Sequence, residues 1–276
     1  MIGLLDSGVG GLSVLRHVQA QLPHEALVYV ADQAHVPYGT RSAAEVQQFS
    51  EGISRLLLEL GVKIIVVACN TASAAALTYL RETFPDVPFV GMEPAVKPAA
   101  EHTRTGKVGV MATAGTFGSE RYADLMQRFA RDVVVFEDPC LGLVDLIEAG
   151  NTTGAETEQL LTRVLHPMLA QGVDSLVLGC THYPFVRPLI EQVIAAAPVK
   201  PATAVTIIDP APAVARQTRR VMQQRDLLSP VTSPGTLRLF TSGSDAHMAD
   251  LVAHLWGQQV AVETAVWHGK TLICKG

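Results

Sequence analysis

Two periods of hydrophobic patterning alternate along the chain. Short unbroken apolar runs, IGLLD (2–6), ALVYVAD (26–32) and VKIIVVA (62–68), lack an in–out alternation. That is the pattern of strands buried on both faces of a parallel sheet. Between them, apolar stripes with helical spacing predict helices over 11–22, 42–61 and 71–82. The second of these is the best marked. Ser42 and Glu45 form a capping box, Val46, Phe49, Ile53, Leu56, Leu57 and Leu60 make the stripe, and Gly61 ends it. A second round follows, with strands predicted at 106–113, 133–137 and 173–179 and helices at 117–130, 141–149, 155–171 and 185–197. Such strand–helix alternation predicts the α/β class with parallel sheets.

The two rounds resemble each other. GLLDSG (3–8) aligns with GVMATAG (109–115), VYVAD (28–32) with VVFED (134–138), and IIVVACNT (64–71) with SLVLGCTH (175–182). Three strand ends matching in order imply an internal duplication. The segment 91–106, with its prolines and mixed polarity, reads as a connection between two domains. Strands at 205–209 and 236–240 and helices at 211–225 and 245–257 form a tail expected to complete the first sheet.

Composition narrows the function classes. The 276 residues are 48% hydrophobic and 17% charged, so a well-buried core is expected and disorder is not. The net charge is −5 and no basic run interleaves with aromatics, which argues against a nucleic-acid partner. No apolar stretch approaches the ~18 residues of a membrane span, and the first residues do not read as a signal peptide. A cytoplasmic protein with reduced thiols is therefore expected. Cys69, Cys140, Cys180 and Cys274 contain no CxxC spacing, so neither a disulfide framework nor a metal site is expected. None of the lysines (63, 97, 107, 200, 270, 275) sits in a setting suited to a Schiff base, and no cofactor is indicated.

The candidate chemistry lies at the strand ends. Cys69 and Cys180 occupy the same place in the two rounds, each just past a buried strand and before a predicted helix. Ligands in open α/β sheets bind beyond the carboxyl ends of the strands, and a helix N-terminus favours a thiolate. Two thiols facing one cleft suit removal of a proton from one face of a carbon and its return from the other. Cys140 and Cys274 have no matched position and read as structural. Asp6 and Ser7 precede glycines at 8, 10 and 11, which fit neither the dinucleotide fingerprint nor the Walker pattern. Asp6 would repel a phosphate; it suits a substrate ammonium or a relay to Cys69. His182, two residues past Cys180, suits an acid–base helper. On local chemistry alone Pro37-Tyr38-Gly39 reads as a turn before a capped helix, Glu148 as a helix-end charge, and His35 as a loop residue without a role. The hydroxyls of Ser7, Thr71, Thr113, Thr116 and Thr181, with amides at helix starts, suit a small anionic substrate.

Together DSGVGG (6–11), PYG (37–39), CNTASA (69–74), GCTHYP (179–184) and LFTSGSDAHMADL (239–251) resemble the glutamate racemase family of the aspartate/glutamate racemase superfamily, from residue 3 to about 257. The resemblance implies cofactor-independent interconversion of L- and D-glutamate, with D-glutamate supplied to peptidoglycan. It implies two pseudo-symmetric, three-layer parallel-sheet domains with the site in the cleft between them: 1–97 plus 208–276, and 98–207. Cys69 and Cys180 become the catalytic thiols, the first acting on D-glutamate and the second on L-glutamate, with Asp6, Glu148 and His182 assisting proton transfer. Asp6-Ser7, Pro37-Tyr38-Gly39, Asn70-Thr71 and Thr181-His182 become substrate-binding, and Thr113 and Thr116 hold the side-chain carboxylate. A homodimer is implied, with no metal, membrane or nucleic acid required. Pro210, Pro212 and the tail after Gly257 depart from the pattern. A racemase for aspartate, a hydantoin or another acid, a catalytically silent binding protein, and a decarboxylase or isomerase of the same superfamily are the rival readings; retention of both thiols argues against the second and third.

Overall fold

The computed structural model describes residues 1–199 and 203–275; Lys200 lies outside the described residues. The first round folds as β1 (Ile2–Asp6), α1 (Leu12–Gln21), β2 (Leu27–Ala31), α2 (Ala43–Glu59), β3 (Ile64–Val67), α3 (Asn70–Thr83) and a short β4 (Phe89–Val90). Strands β1, β2 and β3 are buried along their whole length, as their unbroken apolar runs require. The capping box forms at the start of α2: the Glu45 amide donates to Ser42 Oγ, and the Glu45 carboxylate accepts from the Ser42 amide. Gly61 takes the left-handed conformation (φ +82°) just past the helix.

The connecting segment contains a helix, α4 (Val96–His102). The second round is β5 (Lys107–Met111), α5 (Ala114–Phe117), α6 (Glu120–Phe129), β6 (Val134–Asp138), α7 (Leu143–Glu148), α8 (Ala155–Ala170), β7 (Ser175–Leu178), α9 (Arg187–Ala196) and β8 (Thr206–Ile208). The single helix predicted at 117–130 is broken in two. The Ser119 hydroxyl accepts from the Tyr122 amide and starts α6 afresh. Residues 183–186 form a 3₁₀ turn ahead of α9, so Cys180 is followed by a tight turn before the helix.

The chain then adds α10 (Ala211–Gln224), β9 (Leu237–Thr241), α11 (Asp245–Trp256), β10 (Val262–His268) and β11 (Thr271–Cys274). Pro210 is the N-cap of α10 and Pro212 lies in its first turn, where a missing N–H costs nothing. The strands form two sheets, ordered β11-β10-β9-β2-β1-β3-β4 and β6-β5-β7-β8. All pairings are parallel except that of β10 with β11. The order β2-β1-β3-β4 is repeated as β6-β5-β7-β8, which is the duplication seen in the sequence. The tail divides differently from expectation. Strand β8 pairs with β7 and closes the second sheet, while β9, β10 and β11 extend the first. The unrecognised residues after 257 form the β10–β11 hairpin. Its Trp267 lies against Gly52 of α2, where a Cβ would stand 2.5 Å from the indole. Among the described residues no helix is long and apolar enough to cross a membrane.

Candidate active site

The loops after β1, β3, β5 and β7 meet between the two sheets. Asp6 ends β1, and Cys69, Thr113 and Cys180 each lie two residues past their strands. Hydrogen bonds cross from one half to the other: Ser13 Oγ donates to the Thr181 carbonyl at 2.9 Å, and Thr71 and Thr113 share a hydroxyl bond of 2.8 Å. A crevice of about 620 Å³ bordered by Arg81, Met92, Arg121 and Arg216 lies elsewhere, and neither thiol lines it.

The two thiols have different surroundings. Cys69 is the N-cap of α3, and its Sγ accepts from the Ala72 amide at 3.4 Å, with Ser7 Oγ at 4.0 Å. Burial, and then the Asp6 charge, push this thiol well above the usual thiol range. The Ala72 amide and Ser7 favour the thiolate but are outweighed, so the helix terminus expected to ionise Cys69 loses to desolvation. Cys180 Sγ lies 3.6 Å from His182 Nδ1, and His182 Nε2 lies 2.6 Å from Glu148 Oε1. Burial pushes the imidazole down, but hydrogen bonds to Cys180 and Glu148 and their charges carry it well above the usual histidine range. Burial likewise pushes Glu148 up; the bond and charge of His182, the Val9 amide and Gln33 outweigh it, and the net shift is down. Cys180 thus faces an imidazolium, and Cys69 keeps its proton.

This pair has a stability consequence. Glu148 has a depressed pKa in the fold, so it stabilises above its ordinary value of 4.5 and loses that contribution as pH falls through the lower folded value. His182 has a raised pKa, so its contribution is complete below 6.5 and lost as pH rises through the higher folded value. Glu148→Gln is expected to cost about 2 kcal/mol at neutral pH. In urea unfolding, the gap from the parent should narrow as pH falls below 4.5. A gap independent of pH would mean that the carboxylate charge contributes nothing.

The glycines after Asp6 have a steric explanation. A Cβ at Gly8 would overlap the Glu148 carboxylate, and one at Gly10 would overlap the His182 ring and the Thr181 hydroxyl. The loop is a socket for side chains of the other half, and the Val9 amide inside it donates to Glu148 Oε1 at 2.8 Å. Asp6 is fully buried. Its Oδ2 accepts from the Gly8 and Gly11 amides at 3.0 Å each, and Thr181 Oγ1 lies 3.4 Å from its Oδ1. Burial raises its pKa, opposed by the His182 charge and the two amides.

The remaining sequence-predicted residues line the same region. Thr71, Thr113 and Thr116 form a ladder of hydroxyls, with 2.8 Å and 3.2 Å between neighbours. Gly39 abuts Thr113, at 2.8 Å from a notional Cβ to the Thr113 Cβ. Tyr38 follows Pro37 but turns inward, its hydroxyl donating to Asp32 at 2.7 Å, so only its backbone is left for the cleft. Asn70 is 3% exposed, and neither polar atom of its amide has a partner among the described residues. A buried amide left unpaired is costly unless a ligand satisfies it.

Sequence reasoning missed five residues behind this shell. Asp32 also accepts from Ser242 Oγ at 2.6 Å and Trp267 Nε1 at 2.7 Å, with His35 Nδ1 at 2.9 Å, and so ties the 37–39 loop to the hairpin. Gly115 packs on Thr71 and the Gly39 carbonyl. The only signals were polar residues directly after β2 and β9.

Comparison with known proteins agrees with this geometry. A family model described as Asp/Glu/Hydantoin racemase matches residues 2–218. The glutamate racemase of Pseudomonas paraeruginosa is 53% identical over 261 residues, 95% of this chain and 96% of that protein. The crystal structure of a glutamate racemase isoform from Bacillus anthracis superposes with a TM-score of 0.85 at 33% identity, over 98% of each chain. The Escherichia coli glutamate racemase, solved with L-glutamate and an activator, superposes with a TM-score of 0.80 at 30% identity, over 100% of this chain and 99% of that one. The fold, the paired strand-end cysteines and these relatives agree: the chain belongs to the Asp/Glu/hydantoin racemase family and, within it, groups with the glutamate racemases.

Proposed function

We propose that the protein racemises glutamate by a two-base, cofactor-independent mechanism in which Cys69 and Cys180 act on opposite faces of the α-carbon. The observation that carries this reading is the pair of thiols at equivalent strand ends in unequal surroundings: Cys180 Sγ lies 3.6 Å from the His182 imidazole, which is bound to Glu148, while Cys69 Sγ lies 4.0 Å from Ser7 Oγ and accepts from the Ala72 amide. With L-glutamate, the Cys180 thiolate takes the α-proton, and the electron pair left on carbon delocalises into the α-carboxylate. The Cys69 thiol then gives its proton to the other face, forming D-glutamate and a Cys69 thiolate. The reverse reaction exchanges the roles. His182, anchored by Glu148, stabilises the Cys180 thiolate; Asp6 and Ser7 serve the Cys69 side. Only one thiolate exists at a time.

Binding follows from the same residues. The unpaired Asn70 amide and the N-terminus of α3 suit a carboxylate. Thr71, Thr181 and the 37–39 loop complete that side, and Thr113 with Thr116 would hold the side-chain carboxylate. The E. coli relative, solved with L-glutamate, supports this substrate over aspartate or a hydantoin. The wider reading carries the rest of the resemblance: domains of 1–97 plus 208–276 and 98–207, a cytoplasmic homodimer, and D-glutamate supplied to peptidoglycan.

Circular dichroism of purified protein without added cofactor should show either enantiomer of glutamate converging on zero rotation. Aspartate and a hydantoin should react far more slowly. In deuterated water the product should carry deuterium at the α-carbon. Unchanged optical rotation of glutamate under reducing conditions would refute the assignment.

A further inference from the structure

Glu148 has a second oxygen whose partner lies in the other half of the molecule. Its Oε1 is already taken by the Val9 amide and His182. Its Oε2 lies 3.2 Å from Gln33 Nε2, on the loop just after β2. The orientation of the Gln33 amide is set from behind. The Gly243 amide donates to Thr241 Oγ1 at 3.0 Å, which turns the Thr241 hydroxyl proton toward Gln33 Oε1, 2.9 Å away. Thr241 is fully buried at the end of β9, and a Cβ at Gly243 would stand 2.9 Å from the Gln33 Cβ. A flip would face the Gln33 carbonyl toward the Glu148 carboxylate, acceptor against acceptor, and take from the Thr241 hydroxyl the oxygen it donates to. The polarity therefore runs one way, from Gly243 through Thr241 and Gln33 to Glu148.

We propose that Gln33, oriented by Thr241, is a positioning residue for the proposed acid–base pair: it holds Glu148 as a hydrogen-bond acceptor only, so that the shared proton stays on His182. The Gln33 N–H stabilises the ionised carboxylate and so lowers its basicity at Oε1, where His182 sits, and a proton placed on Oε2 instead would meet that N–H donor against donor. Gln33 has no contact with the thiols and acts through Glu148. The C-terminal part of the first sheet thereby reaches the acid–base chemistry of the second half without supplying a group to the substrate.

The inference rests on the racemase reading, and its test separates the two. The kcat/KM for glutamate would be measured against pH in the parent and in Gln33→Met, Thr241→Val and Thr241→Ser. Gln33→Met keeps the length and removes the donor. It should lower kcat/KM about tenfold near neutral pH, the size of one lost charge-assisted hydrogen bond. It should also move the acid limb upward by roughly half a pH unit or more. Thr241→Val should move the limb the same way by less, and Thr241→Ser, which keeps the hydroxyl, should restore the parent profile. NMR titration of the His182 imidazole gives a readout independent of turnover, and its midpoint should fall in Gln33→Met. A folded Gln33→Met protein with an unmoved acid limb and an unmoved His182 midpoint would overturn the inference, even if activity fell. A parent that fails to racemise glutamate, while the His182 midpoint still falls in the variant, would sink the substrate reading and leave the positioning role standing.

Discussion

Cys180→Ser is expected to reduce kcat/KM for glutamate racemisation by about a thousandfold or more, the upper range of what a positioned acid–base group supplies. The substitution is nearly isosteric and leaves the turn at residues 183–186 with the same backbone. What changes is acidity. A thiol titrates near pKa ~8.5 and can be held as a thiolate beside a cation, whereas an alcohol beside the same imidazolium stays protonated. The α-carbon then has no base on that face. The loss must be equal in the two directions. Enantiomers in water have an equilibrium constant of one, so kcat/KM from L-glutamate and from D-glutamate are bound to each other in every variant. Any asymmetry has to appear in kcat and KM separately. Dichroism time courses started from each enantiomer test both statements, and turnover within tenfold of the parent from either side would remove the two-thiol mechanism.

The sequence made the paired thiols legible because each sits in a short contiguous motif at the end of a strand whose apolar run is unmistakable. Register follows from the duplication, so Cys69 and Cys180 could be matched before any coordinates. Glu148 was harder. Its partners are 34 and 139 positions away, at His182 and Val9, and nothing local separates it from a solvated helix-end charge. Only the resemblance pointed to it. The glycines at 8, 10 and 11 raised a question about phosphate, and their cause is invisible in one dimension: the first two make room for side chains from the other half, and the third for Asp6 and Tyr29. The β10–β11 hairpin escaped because it lies at a sheet edge, where mixed polarity hides strand periodicity. Yet its Trp267 reaches Asp32 beneath the 37–39 loop. The break at Ser119 was missed for a related reason. One side-chain cap outweighs an amphipathic stripe that would otherwise run straight through.

Gly8→Ala should be nearly as damaging as loss of a thiol, although it touches neither the thiols nor the substrate. The added methyl would occupy space now held by the Glu148 carboxylate, and both sides of the contact are constrained. The loop cannot retreat easily, because the Gly8 and Gly11 amides are bound to Asp6 and the Val9 amide to Glu148. The cheaper response is for Glu148 to withdraw. His182 then loses its carboxylate, and with it the charge that keeps a proton on the imidazole opposite Cys180. A loss of about a hundredfold or more in kcat/KM is expected from one misplaced acid–base partner. The displaced carboxylate also contributes to folding, so the melting temperature should fall about as far as in Glu148→Gln. Steric displacement can be told from general loop damage by a double-mutant cycle. In a Glu148→Ala background the three atoms nearest the methyl are gone, and Gly8→Ala should then add less than about threefold to the loss already incurred. Multiplicative losses in the double variant would mean that the glycine serves the backbone of the loop rather than the carboxylate seated in it.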